Sequence, residues 1–180
     1  MINSVIITDL STAVSNSFKE AKENVWVSVV DEEDRNKIRM MKGNFAKRGN
    51  EHFAQYFYDW SDEDDDVYIK RHIEEKGPRE QHVNSIISFL QPIVESDKVY
   101  NLGVNCYAGV SRSTAIGIVS WVMQGKSPQE ALDEIIKVRS MAWPNLRILR
   151  FASERLGIDL MTPVKEWKQL NNNGIYTGGW

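Results

Sequence analysis

Six consecutive residues, Val25-Trp26-Val27-Ser28-Val29-Val30, carry no charge and are dominated by β-branched side chains. A run of that kind reads as a strand buried on both faces, the condition of an interior strand in a parallel sheet. Such a strand needs cover above and below, and the rest of the chain offers it. Ser4-Val5-Ile6-Ile7, Phe53 to Trp60 and Lys98 to Val104 read as further strands. Segments of helical period alternate with them. One carries Ala13, Val14, Phe18 and Ala21 behind a cap at Ser11, and another carries Val83, Ile86, Ile87, Leu90 and Val94, where Pro92 is expected to kink or end the helix. Asp31 to Asn50 reads as a connecting segment with some helix, and Ser61 to Asp66 as a solvated acidic run. Helices are also expected from about Ser113 to Met123, after the cap and capping-box signature Ser127-Pro128-Gln129-Glu130, and from Pro144-Asn145 to Gly157. This pattern predicts one α/β domain over residues 1–162, built on a central, mostly parallel sheet of four to five strands flanked by helices. A loosely ordered tail is expected over 163–180, with Trp167 and Trp180 as residues able to pin it.

At 180 residues the chain can bury roughly two-thirds of its unfolded surface, enough for a proper core. No apolar run approaches the ~18–20 residues that span a bilayer, and no secretory leader is visible in Met1-Ile2-Asn3-Ser4. With 22 basic and 25 acidic residues the net charge is −3, which argues against coating nucleic acid or acidic membranes by bulk charge. A lone cysteine, Cys106, excludes an intramolecular disulfide and a cysteine-rich zinc site and fits a reducing, cytoplasmic setting. His52, His72 and His82 show no metal-ligand spacing and read as ordinary surface or core histidines.

The chemistry is concentrated in Asn105-Cys106-Tyr107-Ala108-Gly109-Val110-Ser111-Arg112-Ser113-Thr114, between a strand and a helix. Open α/β sheets place anion sites at that junction. The small residues Ala108, Gly109 and Ser111 let the backbone curl so that successive amides point inward as a nest. Amides from Tyr107 to Arg112 then bind an oxyanion, and the same field favours a thiolate at Cys106. Arg112 adds a planar fork for two phosphate oxygens, which a lysine does not reproduce. Ser113 lies where its hydroxyl reaches the sulfur.

Cysteine, five residues, arginine and serine, with glycine between, would coincide by chance on the order of once in a thousand. The stretch resembles the signature loop of the protein tyrosine and dual-specificity phosphatase superfamily, most like its compact members. The resemblance runs from about Phe53 to Gly157 and includes the helix start Pro144-Asn145-Leu146-Arg147. Low-molecular-weight phosphatases and arsenate reductases share the spacing but carry the loop near the N-terminus, so the dual-specificity-like fold fits better. One departure is Asn105, where this family has histidine; its amide is expected to donate to the loop instead.

The resemblance implies hydrolysis of a phosphate monoester through a cysteinyl-phosphate, with Cys106 as nucleophile, Arg112 and the loop amides on the phosphoryl oxygens, and no metal or cofactor. It also implies an upstream aspartate as general acid. Asp59, Asp62, Asp64, Asp65 and Asp66 are the candidates, with Asp59 preferred because it ends the aromatic segment Phe57-Tyr58-Asp59-Trp60. The usual small phosphatase spaces its acid closer to the cysteine, so that choice presumes a longer intervening segment. Trp60 is a candidate for shaping the site, or else scaffold like the other tryptophans. The acidic balance disfavours an RNA substrate, and the loop lacks the lysine that inositide phosphatases of this superfamily usually carry. A phosphoprotein is therefore the expected substrate of an expected monomer. The alternatives are a phosphatase for a non-protein ester and an inactive phosphate-binding module.

Overall fold

The computed structural model describes residues 1–19, 25–62 and 76–171. Its sheet has four strands, all parallel: β1 (Ile2–Asp9), β2 (Val25–Val30), β3 (Glu51–Tyr56) and β4 (Tyr100–Cys106), in the order β1-β4-β2-β3. Seven α-helices flank it among the described residues. They are α1 (Leu10–Ser17), α2 (Arg35–Ala46), α3 (Glu80–Glu95), α4 (Arg112–Met123), α5 (Pro128–Val138), α6 (Leu146–Leu156) and α7 (Met161–Asn171). This is the single α/β domain that the alternation of strands and helices predicts.

All six residues of β2 are buried, and alternate side chains serve two separate cores. Val25, Val27 and Val29 face one side, joined by Val5, Leu102 and Val104 from the neighbouring strands and by Ile86, Leu90, Ile116, Ile118, Leu132 and Leu149 from the helices. Trp26 and Val30 face the other, against Leu10 and Ala13 of α1 and Ile38, Met41 and Phe45 of α2. Period-two alternation divides one apolar run between two layers. Trp26 stacks on Phe45 with ring centroids 4.9 Å apart and lies flat against β4. Gly103 is the residue that lets it: a Cβ there would sit 2.7 Å from three indole carbons.

Several elements depart from the sequence expectation for local reasons. The cap of α1 is Asp9 and not Ser11, because the Asp9 carboxylate accepts from both the amide and the hydroxyl of Thr12, each at 2.8 Å. The segment after Asp31 is mainly helical, a 3-10 turn at Glu32–Asp34 leading into α2. Pro92 does not end α3, which continues to Glu95; Pro92 and Ser88, whose carbonyl loses its donor, are both exposed, so water can take the bond. The strand expected over Phe53 to Trp60 stops at Tyr56, where the Phe57 carbonyl turns to accept from Arg112 at 2.6 Å. Residues 163–171, expected as loose tail, are helix, and the boundary drawn after residue 162 falls inside α7. Asp159 accepts from the amides of Met161 and Thr162 at the start of that helix, and Val164 joins the core.

The Gly103–Trp26 contact gives a test of the packing. Gly103→Ala should destabilise the protein by about 1–3 kcal/mol, because the buried indole must move to admit a methyl group. Urea unfolding of the two proteins measures the difference, and equal midpoints would show that the ring does not fill this space.

Candidate active site

The C-terminal ends of the parallel strands converge on the loop between β4 and α4, where an open α/β sheet binds its ligands. Five successive carbonyls of that loop are tied outward. Tyr107 O accepts from the Leu10 amide at 3.1 Å, and Val110 O and Ser111 O accept from the Trp143 and Asn145 amides at 2.8 and 3.3 Å. Arg139 takes the two between them, Ala108 O through Nη2 at 2.8 Å and Gly109 O through Nε at 2.9 Å. Thr114 Oγ1 donates a further bond to Val110 O at 2.6 Å. With the carbonyls outside, the amides are left facing the centre. Gly109 N donates to Cys106 Sγ at 3.2 Å, while the amides of Ala108, Val110 and Ser111 donate to no group among the described residues. Gly109 is required here: its φ is +70°, and a Cβ would stand 2.7 Å from the backbone of Thr8.

Cys106 sits at the base of this nest, 1% exposed, with Ser113 Oγ 3.2 Å from its sulfur. Arg112 is 2% exposed, and its Nη1 donates to Asp31 Oδ1 and to the Phe57 carbonyl, both at 2.6 Å. Neither bond uses the Nε–Nη2 edge, the pair of parallel donors suited to a phosphoryl group. Nε makes no hydrogen bond among the described residues, and its carboxylate neighbour, Asp59 Oδ2, is 3.6 Å away. Burial opposes the charge on Arg112, but the fields of Asp59, Cys106 and Asp31 outweigh it and hold the guanidinium above its ordinary range.

Asp59 reaches the loop across the long intervening segment. Its Oδ1 accepts from Ser111 Oγ at 2.6 Å and from Asn145 Nδ2 at 2.9 Å, which leaves Oδ2 as the freer oxygen. Asp62 is held elsewhere, between Arg147 at 2.9 Å and Arg150 at 2.7 Å. Partial burial raises the pKa of Asp62, but the two arginines more than reverse this and keep it below the usual carboxylate range, a poor state for a proton donor. Asp64, Asp65, Asp66 and His72 lie outside the described residues. Trp60 stacks on Tyr58 and offers its carbonyl to Asn145 Nδ2 at 3.0 Å.

Asn105 departs from expectation. Its side chain does not donate to the loop: Oδ1 accepts from Ser28 Oγ at 2.7 Å, and Nδ2 has no partner among the described residues. The strand alternation that turns Cys106 to one face turns Asn105 to the other. His52 joins the same hydroxyl through Nε2 at 2.8 Å, and His82 stacks on Phe57. No group of histidine, cysteine and carboxylate side chains among the described residues could hold a metal ion. Nor is any described helix long and apolar enough to cross a membrane.

Three residues of the site escape a reading of the sequence: Asp31, Arg139 and Asn145. Asp31 had a signal, being the first polar residue after a buried parallel strand. Asn145 showed only its helix cap, made by Oδ1 to the Ile148 amide at 3.1 Å, while its Nδ2 serves Asp59. Arg139 had no local signal.

No known family profile matches the chain, and no curated protein matches it in sequence. Solved structures do. Tk-PTP in its active form superposes with a TM-score of 0.55 at 16% identity, covering 84% of this chain and 90% of its own. PTPMT1 in complex with PI(5)P gives 0.54 at 15%, covering 91% and 94%. Human DUSP28 gives 0.53 at 14%, covering 93% and 95%. The chain has the fold of the dual-specificity and tyrosine phosphatases.

The burial of His52 gives a pH test. Burial, with a smaller contribution from Lys42, pushes its pKa down from 6.5 to about 4. Between those values the unfolded chain binds the proton and the folded chain does not, so stability is full above pH 6.5 and falls toward pH 4. The loss attributable to this one group is on the order of 3 kcal/mol. His52→Gln should show a shallower fall in urea midpoint between pH 6.5 and 4 than the wild type. Parallel curves would mean that His52 titrates alike in both states.

Proposed function

We propose that the protein is a cysteine-dependent phosphatase that hydrolyses phosphate monoesters through a covalent cysteinyl-phosphate. One observation carries this reading: the Cys106 sulfur, the inward loop amides, the Arg112 guanidinium and the Asp59 carboxyl are gathered on one loop, with Asp59 Oδ2 3.6 Å from Arg112 Nε and Asp59 Oδ1 hydrogen-bonded to Ser111. The fold of the structural neighbours supports it.

Cys106 Sγ attacks phosphorus opposite the leaving oxygen, forming the S–P bond as the P–O bond breaks. The loop amides and the Nε–Nη2 edge of Arg112 hold the equatorial oxygens, whose charge they meet best in the transition state. Asp59 Oδ2 delivers its proton to the leaving oxygen. The resulting carboxylate then takes a proton from water as the water attacks phosphorus, and Ser113 donates to the departing sulfur. Phosphate is released, with Cys106 and Asp59 restored.

A phosphoprotein is the substrate class that we favour. PTPMT1 was solved with PI(5)P, but here the loop residues Tyr107, Ala108, Val110 and Ser111 bring no lysine to a polyanionic headgroup. Open grooves of about 450 and 420 Å³ join Leu10, Val14 and Tyr107 to Asp9 and Lys37 in one case, and Tyr56 and Tyr58 to Glu32, Glu33, Lys76 and Arg79 in the other. Walls that mix apolar and aromatic side chains with charges of both signs suit a polypeptide.

The nucleophile is tested first. Cys106→Ser should abolish turnover of p-nitrophenyl phosphate while vanadate still binds; a variant that retains substantial activity would end the covalent mechanism. The acid is tested by leaving group. Asp59→Asn should lose ~10²–10⁴-fold on a phosphotyrosine peptide and much less on an activated aryl phosphate. The same loss on both substrates would move the proton donor to another residue.

A further inference from the structure

A polar row crosses the sheet face that α1 and α2 cover. Ser28 of β2 stands beside Asn105 of β4 in the strand register, and its hydroxyl donates to Asn105 Oδ1 at 2.7 Å. Both residues are fully buried. His52 of β3 meets the same hydroxyl through Nε2 at 2.8 Å. Since that hydroxyl hydrogen is committed to Asn105, the Ser28 oxygen accepts from His52, and Nε2 carries the ring proton. The opposite ring nitrogen, Nδ1, has no hydrogen-bond partner among the described residues. The bonds therefore run in one direction, from His52 to Ser28 to Asn105, and end one residue before Cys106.

A valine at position 28 would complete the apolar run of β2 without burying a hydroxyl. Burying the polar row costs free energy unless its bonds are made. What the bonds achieve is orientation. An asparagine amide has two ends of nearly equal shape, and a committed donor at Ser28 selects the end that faces β2. With Oδ1 fixed, the side chain of Asn105 has one rotamer, and the peptide joining it to Cys106 is fixed with it.

We propose that His52 and Ser28 are positioning residues that act through Asn105, holding the end of β4 so that the Cys106 sulfur meets the loop amides in its reactive geometry. The proposal rests on the phosphatase reading only in taking Cys106 as the nucleophile.

Cys106 is the single cysteine of the chain, so alkylation by iodoacetamide at pH 7 reports on it alone and requires no phosphate ester. Ser28→Thr keeps the hydroxyl, and Ser28→Val replaces it with a methyl group in the same shape. Ser28→Ala removes it without adding volume. Ser28→Val and Ser28→Ala should alkylate about tenfold more slowly than wild type, and lose about tenfold in kcat on p-nitrophenyl phosphate with KM changed less than about twofold. Ser28→Thr should recover most of both rates. Equal rates for the threonine and valine variants would overturn the proposal. If both of those fail to fold, Ser28→Ala decides: wild-type alkylation and kcat would overturn it, and a loss in both at an unchanged KM would support it. A wild-type protein that alkylates rapidly but hydrolyses no phosphate ester would refute the phosphatase reading, and the alkylation rates alone would then decide the relay.

Discussion

A peptide loop binds an anion only if its carbonyls are kept away from it, because each amide that points inward has a carbonyl neighbour that must go somewhere. In this chain five consecutive carbonyls find outside donors, from the Leu10 amide, two nitrogens of Arg139 and the amides of Trp143 and Asn145. Buried backbone groups left without partners are expensive, so these ties are what make the inward-facing loop a low-energy conformation. The site's chemistry follows from them. Cys106 receives the Gly109 amide, and the amides of Ala108, Val110 and Ser111 are left facing the centre of the loop.

Arg112 completes the charge arrangement from the first turn of α4. Its Nη1 is occupied by Asp31 and the Phe57 carbonyl, so the guanidinium plane is set before any ligand arrives. Buried charges of this kind are tolerated when paired and hydrogen-bonded, and removing one partner is far more damaging than either pair is stabilising. Asp59 sits close enough to feel the guanidinium but is held by Ser111 and Asn145. One carboxylate thus orients Arg112 and another stands at the mouth, each in a position the other could not serve. The same Phe57 carbonyl that ends β3 anchors Arg112, so the edge of the sheet and the floor of the site are one piece of structure.

The features legible in the sequence are those written in consecutive residues. β2 declares itself through an unbroken apolar run, α5 through Ser127-Pro128-Gln129-Glu130, and the loop through Cys106, Gly109, Arg112 and Ser113. Asp59 was legible because it closes an aromatic segment at the sheet edge. Arg139 was not, since an arginine bonded to two distant carbonyls looks in sequence like any other arginine at a helix end. Asn145 presented only its cap. Helix α7 was concealed by its polar end: Asp159 and Pro163 mark its start, but the asparagines from Asn171 onward suggested a tail. Asn105 was misassigned because the face toward which it points depends on strand register, which the residues beside it do not reveal.

The ties on the loop have a consequence for how the protein comes into being. Cys106 and Arg112 lie on β4 and the start of α4, yet four of the five carbonyl ties to outside donors come from Arg139, Trp143 and Asn145. Trp143 is itself packed against Trp167 of α7, with Lys168 over its ring. During synthesis the chain emerges from its N-terminus, and the signature loop is made well before the residues that shape it. A nascent chain ending within α5 would carry the thiol and the guanidinium but not the donors that turn the carbonyls outward. The shape of the loop is thereby coupled to later synthesis, because the segment that holds its carbonyls outward follows it in the chain.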